Sequence, residues 1–212
     1  QGQALGMAED AEDGYDLTAM RTLDVEGITV TNADRLTIDV EDGNAVINDI
    51  TAVDAERIIV NSANDVTVKV AAAGIDTNDL VAIDASGVTG TFTLNLTNGT
   101  YDLSDVDLTG VEALVLGDGV NAVVLTLSAT QLIELKDVIS DTDSATTLNV
   151  VGLTDEALNL TDLDVDTIGT VEFADVDGTI TVNADANFDD ATSLENLAED
   201  SHTNVVMTAE QF

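Results

Sequence analysis

Ile28-Thr29-Val30, five polar or small residues, then Leu36-Thr37-Ile38-Asp39-Val40: this phrase returns thirty residues on as Ile58-Ile59-Val60, Asn61 to Asp65, and Val66-Thr67-Val68-Lys69-Val70. Each copy is a short β-branched run, a turn rich in Asn, Asp and Ala, and a second run alternating apolar with polar, the pattern of a half-buried strand. Looser echoes follow. Leu114-Val115-Leu116 leads through Gly117-Asp118-Gly119 to Val123–Leu127, Leu148-Asn149-Val150 leads to Leu158-Asn159-Leu160, and Val171-Glu172-Phe173 leads to Ile180-Thr181-Val182. A phrase this regular predicts stacked repeats, each too thin to bury its own apolar face. The fold class expected is mainly all-β, a β-solenoid or β-helix-like stack of short strands.

Working outward, residues 1–22 read as an acidic N-terminal arm centred on Glu9-Asp10-Ala11-Glu12-Asp13-Gly14, and residues 23–212 as the repetitive β-rich domain. Ala71-Ala72-Ala73-Gly74 has no side chain large enough to fill a core, which places a sub-boundary near 71–79. In Thr91-Phe92-Thr93-Leu94-Asn95-Leu96-Thr97 strict alternation puts Phe92, Leu94 and Leu96 on one face. Asn98-Gly99 after it is a hairpin signal and predicts an antiparallel pair at that point. From Ser128 the pattern changes: Ser128 with Gln131 has the form of a capping box. Leu132, Ile133, Leu135, Val138 and Ile139 recur near 3.6, so an amphipathic helix bracing the sheet is expected over 128–139. The strand, Ser-Ala-Thr-Gln-Leu sequence at 123–132 has a counterpart in Val205 to Phe212, as a segment of a longer repetitive protein would.

Composition narrows the function. The 212 residues carry 42 acidic and five basic side chains, a formal net charge of −37, yet 44% are hydrophobic, so a core is affordable and the chain is no disordered acidic tail. Self-repulsion of that size needs screening by salt or bound cations. Nothing here could neutralise phosphates, which excludes nucleic acid as a partner, and no apolar run is long enough to insert in a membrane. Asp outnumbers Glu thirty to twelve, which favours turns and short-armed cation coordination. There is no Cys or Pro, and the one His, His202, has neither a second His nor a Cys for a partner, so enzymatic activity is not expected.

Three acidic clusters are the candidate divalent-cation ligands: Asp102, Asp105 and Asp107; Asp137, Asp141 and Asp143; and Asp162, Asp164 and Asp166. The last group opens like an EF-hand loop, but Thr167 and Phe173 stand where its sharp-turn Gly and bidentate Glu would be. Alternation with Leu163 and Val165 instead puts the three on one side of a strand. Stacked carboxylates repel unless a cation lies between rungs, so Ca2+ is the expected ion, bridging repeats or subunits.

The Thr/Asp/Asn/Val-rich strand phrases and Leu125-Thr126-Leu127-Ser128-Ala129-Thr130-Gln131-Leu132 resemble the repetitive segments of large, acidic, Cys-free bacterial surface proteins: S-layer proteins of the β-solenoid kind and the RTX-like adhesins exported by type I secretion. The glycine-rich nonapeptide Gly-Gly-x-Gly-x-Asp of that group is absent, Gly117-Asp118-Gly119 being a fragment of it. The resemblance implies an extracellular or cell-surface structural subunit. With the strand pattern it leads to the expectation of self-assembly into a layer or filament of identical copies, bridged by calcium, with residues 1–22 as an arm able to add a strand to a neighbour. The alternative is an adhesin or ligand-binding β-solenoid module of a large secreted protein, with a cell-surface glycan as its partner.

Overall fold

The structure is a computed structural model that describes residues 15–17, 22–31, 33–135, 138–141, 146–152, 157–159, 170–173, 179–183, 193–196 and 202–206. The chain divides into two compact units, Gln1–Gly99 with Val106–Val115, and Thr100–Asp105 with Leu116–Phe212. Both are stacks of short parallel strands, the β-solenoid expected.

In the first unit the strands are β1 (Tyr15–Leu17), β2 (Thr22–Val25), β3 (Ile28–Thr29), β4 (Arg35–Val40), β5 (Asn44–Ile47), β6 (Ile50–Thr51), β7 (Arg57–Ser62), β8 (Val66–Ala71), β9 (Ala82–Val88), β10 (Phe92–Asp102, whose last residues belong to the second unit), β11 (Asp107–Thr109) and β12 (Ala113–Leu116). One ladder runs β1-β4-β7-β9-β11 and another β2-β5-β8-β10, while β3 pairs β6; all these pairings are parallel. Alternation explains the core. Leu36, Ile38 and Val40 of β4 point inward above Ile58 and Val60 of β7, and Val66, Val68 and Val70 of β8 lie in register with Phe92, Leu94 and Leu96 of β10, all buried.

The register corrects the thirty-residue repeat. Ile28 stacks on Ile50 and Leu36 on Ile58, both twenty-two residues on, so Ile58-Ile59-Val60 is the counterpart of Leu36-Thr37-Ile38 rather than of Ile28-Thr29-Val30. Two β-branched runs in each coil look alike, and matching the first run of one coil with the last run of the next adds eight residues to the period. Farther on the coil lengthens: Arg57 stacks on Ala82, twenty-five residues away, the excess being taken up by the 3-10 turn Ala72–Gly74 and the loop after it.

The hairpin at Asn98-Gly99 is also corrected. β10 continues through it, in parallel register with β8, by a bulge that skips one residue between Leu96 and Asn98. Gly99 takes φ 98°, the left-handed conformation that both a bulge and a hairpin turn use, which is why the dipeptide misleads. Within residues 1–22, Tyr15–Leu17 pair with β4 of their own chain, Tyr15 on Ile38. Residues 1–14 lie outside the described residues.

The second unit holds β13 (Val123–Ser128), the helix α1 (Ala129–Leu135), β14 (Ile139–Asp141), β15 (Thr147–Val151), β16 (Ala157–Asn159), β17 (Thr170–Phe173), β18 (Thr179–Asn183), β19 (Ser193–Asn196) and β20 (His202–Val206). The ladders β13-β15-β17-β19 and β16-β18-β20 are parallel, with Leu125, Leu148 and Val171 stacked in one buried column. α1 is shorter than the 128–139 expected, since Ile139 already begins β14. Its capping box is present: Gln131 N donates to Ser128 Oγ at 3.3 Å and Ser128 N donates to Gln131 Oε1 at 2.8 Å. Gln131 Nε2 also donates to Leu103 O at 2.7 Å, and Ala129, Leu132 and Leu135 are buried, so the helix braces the stack it follows.

Candidate functional site

Parallel stacking sets each strand position over a partner in the neighbouring coil, and the polar columns formed in this way are the candidate site. Two devices hold the acidic side chains there. In the first, an amide in one coil donates to a carboxylate in the next: Asn48 Nδ2 to Asp24, Asn61 Nδ2 to Asp39 Oδ1 at 2.6 Å, and Asn44 Nδ2 to Asp65 Oδ2 at 3.4 Å. Asp65 Oδ1 accepts in turn from Thr91 N at 2.9 Å, so the corner Asn44, Asp65, Thr91 is bonded through three coils. In the second, an Asp accepts from the residue two places on. Asp84 Oδ1 takes Ser86 N and Oγ, Asp102 Oδ1 takes Ser104 N and Oγ, and Asp107 Oδ1 takes Thr109 Oγ1 at 2.7 Å. Only a one-carbon arm closes such a ring, and this is one physical reason for Asp over Glu.

Local bonds of this kind, at Asp84 and also from Asn78 to Asp76 and from Val120 and Asn121 to Asp118, favour the ionised carboxylate. Asp76, Asp84 and Asp118 are held below the ordinary carboxylate value, by the Asn78 amide, by the Ser86 hydroxyl and backbone, and by the Asn121 backbone and side chain respectively, with Arg57 adding a smaller pull on Asp84.

Of the nine carboxylates predicted as calcium ligands, Asp102 closes β10, Asp105 lies in the turn after it and Asp107 opens β11, all three exposed. Asp102 and Asp107 each commit one oxygen to the local bonds just described. Asp141 closes β14. Asp137, Asp143, Asp162, Asp164 and Asp166 lie outside the described residues. Among the described residues, no three His, Cys, Asp or Glu side chains gather as ligands for one ion. His202 opens β20 in register with Thr179. No helix among the described residues is long and apolar enough to cross a membrane.

One oxygen-rich column was missed by the sequence reading. Thr126, Asn149, Glu172 and Glu195 follow one another in register across β13, β15, β17 and β19. Asn149 Nδ2 reaches Thr126 Oγ1 at 3.4 Å, and Asn149 Oδ1 is buried with no partner. The signal was available as a constant spacing of twenty-three residues, but an Asn and two Glu spread over forty-seven residues do not look like a cluster. Compared with protein-family models, with curated proteins and with solved structures, the chain matches none.

Proposed function

We propose that the chain is an extracellular structural subunit that assembles with copies of itself into a surface layer or filament, with calcium bridging carboxylates between coils or between subunits. The observation that carries this reading is the parallel stacking of short strands in each unit, which bulges in β7–β9 and β8–β10 shift but do not reverse. A ladder of this kind presents a strand edge at its end; β11, for example, pairs β9 on one side and no described strand on the other. Such an edge is a template for another chain, and few lysines guard it here. Support for the calcium part comes from carboxylates that keep one oxygen outward while the other is bonded locally, as at Asp102 and Asp107. The likeness of the strand phrases to surface-layer and type I-secreted proteins supports the location.

Electron microscopy with light scattering, in millimolar calcium and then in excess chelator, tests the reading. Ordered sheets or fibres that dissolve on chelation are expected. Assemblies indifferent to chelator remove calcium and leave strand pairing as the glue. A monomer in both conditions overturns assembly and favours a ligand-binding module, for which Thr67 in register with Thr93 on the outward face is the natural contact.

A further inference from the structure

Four neighbouring strands carry no carboxylate. β5, β8, β10 as far as Thr97, and β12 read Asn-Ala-Val-Ile, Val-Thr-Val-Lys-Val-Ala, Phe-Thr-Leu-Asn-Leu-Thr and Ala-Leu-Val-Leu, twenty residues in which a share of 42 acidic side chains in 212 would put about four. A general avoidance of acid in strands is not the reason, because the ladder β4-β7-β9-β11 carries Asp39, Asp84 and Asp107, and Glu172 and Glu195 stand on β17 and β19. The outward face of the four strands is a field without acid on an otherwise acidic chain. Register sets Val46 beside Thr67, Thr67 beside Thr93 and Lys69 beside Asn95, while Val115 alternates with buried Leu114 and Leu116 on β12, which pairs β10. All six outward residues are half-buried. Asn95 Oδ1 has no hydrogen-bond partner, so no bond of the fold through that oxygen holds the amide, and Lys69 has no ion pair among the described residues.

We propose that this face binds an uncharged polysaccharide through Thr67, Lys69, Thr93 and Asn95. Depletion of charge is the compositional mark of the centre of an interface. Charge also selects the occupant. A polyanion is repelled by a net charge of −37, and a polycation would seek the acidic surface rather than a field without carboxylates. An uncharged partner is left. Four strands about 4.8 Å apart and six residues at about 3.3 Å each give a field of roughly 15–20 Å in either direction, short of the roughly 800 Å² a side of a stable protein complex. A few sugar units fit it. A sugar hydroxyl both donates and accepts, so it pairs with threonine in either sense, donates to the Asn95 amide oxygen and accepts from the Lys69 ammonium. With no aromatic ring among the outward residues, one contact is weak, and a polysaccharide meeting many copies is held through their number. Such binding needs neither assembly nor calcium, and it deepens the ligand-binding alternative, on which it rests.

Affinity electrophoresis of the whole chain in chelator, through gels holding dextran, mannan, galactan or laminarin, with alginate as the acidic comparison, reads the binding. Retardation by at least one of the neutral polymers is expected, and none by alginate. Lys69→Met/Asn95→Leu keeps the size of both side chains and removes their hydrogen bonds, so it should weaken binding at least tenfold. Thr67→Val/Thr93→Val, which suits a strand as well as the wild type does, should weaken it severalfold and keeps the test open if the first variant fails to fold by circular dichroism. Thr37→Val, on the outward face of β4, should bind as the wild type does. Passage of the wild type unretarded through every neutral gel, preference for alginate, or variants that bind as the wild type does overturns the proposal. So does light scattering that shows a dimer lost in Lys69→Met/Asn95→Leu, since the field is then a protein contact. Microscopy in calcium keeps the readings apart. Layers or fibres from a chain that no neutral polymer retards refute this face alone, whereas retardation of a chain that forms no layer upholds the face and refutes assembly.

Discussion

Replacing Gly90 by Ala should cost far more than its single methyl group suggests. A Cβ at position 90 would lie 2.4 Å from Asn64 C, 2.6 Å from Asp65 N and 2.7 Å from Asn64 O, against about 3.4 Å for ordinary contact. All three atoms are backbone of the coil beneath, so no rotamer relieves the clash and the coils must part by close to 1 Å. Three hydrogen bonds tie this corner: Thr89 N to Ser62 O at 2.8 Å, Thr91 N to Asp65 Oδ1 at 2.9 Å, and Val66 N to Thr91 O at 2.9 Å. Losing two of them at about 1 kcal/mol each, with overpacking of roughly 1–3 kcal/mol, gives a destabilisation of about 3–5 kcal/mol. Gly119 is the control. Its φ of 82° is unfavourable for Ala, but nothing lies within 4 Å of the added Cβ, so Gly119→Ala should cost only about 1–2 kcal/mol. Urea unfolding followed by far-ultraviolet circular dichroism measures both, and at a slope of roughly 2 kcal/mol/M the Gly90 variant should lose at least about 1.5 M in midpoint. A Gly90→Ala midpoint equal to or above that of Gly119→Ala would refute the claim that close coil-to-coil approach, rather than backbone conformation, fixes this glycine.

Glu112 closes the edge of β10 by taking Phe92 N on its carboxylate while its own N–H donates to Phe92 O. Glu112→Ala should cost about 1–3 kcal/mol in the same assay and Glu112→Gln much less, since the amide oxygen still accepts. At α1, Gln131→Ala should destabilise more than Ser128→Ala, which should cost about 1 kcal/mol, because Gln131 also holds Leu103 O. The depressed carboxyls of Asp76, Asp84 and Asp118 bind fewer protons in the folded chain than in the unfolded one. Their stabilisation is therefore complete above the ordinary value of 3.8 and lost as pH falls through the depressed values. A triple Asn variant should show a shallower acid limb below about pH 4 than the wild type, and an unchanged limb would refute their contribution.

The strand phrases were legible because alternation is a local signal: Phe92, Leu94 and Leu96 could be assigned to one buried face without knowing what lay above or below them. The period was not, because it is a relation between coils. Val30 and Val40, or Ile58 and Val66, look equivalent in one dimension, and only the stacking of Leu36 on Ile58 decides among them. Asn98-Gly99 failed for a similar reason, since its left-handed conformation is local whereas the choice between reversal and bulge depends on whether β8 offers a partner for the residues beyond. Of the candidate site, Asp102 and Asp107 were visible in sequence as members of an acidic cluster, whereas the bonds that Ser104 and Thr109 make to them two places on were not. The column through Asn149, Glu172 and Glu195 is invisible until the register is known.

The excess of Asp over Glu then has two physical explanations that a pair of substitutions separates. Asp102 accepts from Ser104 N and Oγ through one oxygen, so it shapes the turn out of β10, and its other oxygen is open to a cation. Asn keeps the short arm and one acceptor oxygen but carries no charge; Glu keeps charge and both oxygens but places them one methylene too far to close the ring. If the turn is what selects Asp, Asp102→Asn should unfold within about 0.5 kcal/mol of the wild type in chelator, and Asp102→Glu should lose about 1 kcal/mol or more. If a cation is what selects it, the order inverts in millimolar calcium: Asp102→Asn forfeits the calcium-dependent rise in midpoint and Asp102→Glu retains part of it. Both orders together would mean that one oxygen builds the coil and the other serves assembly, which a solenoid permits because its turns repeat at its surface. Equal behaviour of the two variants in both conditions would leave Asp102 as a solvated surface charge and remove the first of the three predicted calcium clusters.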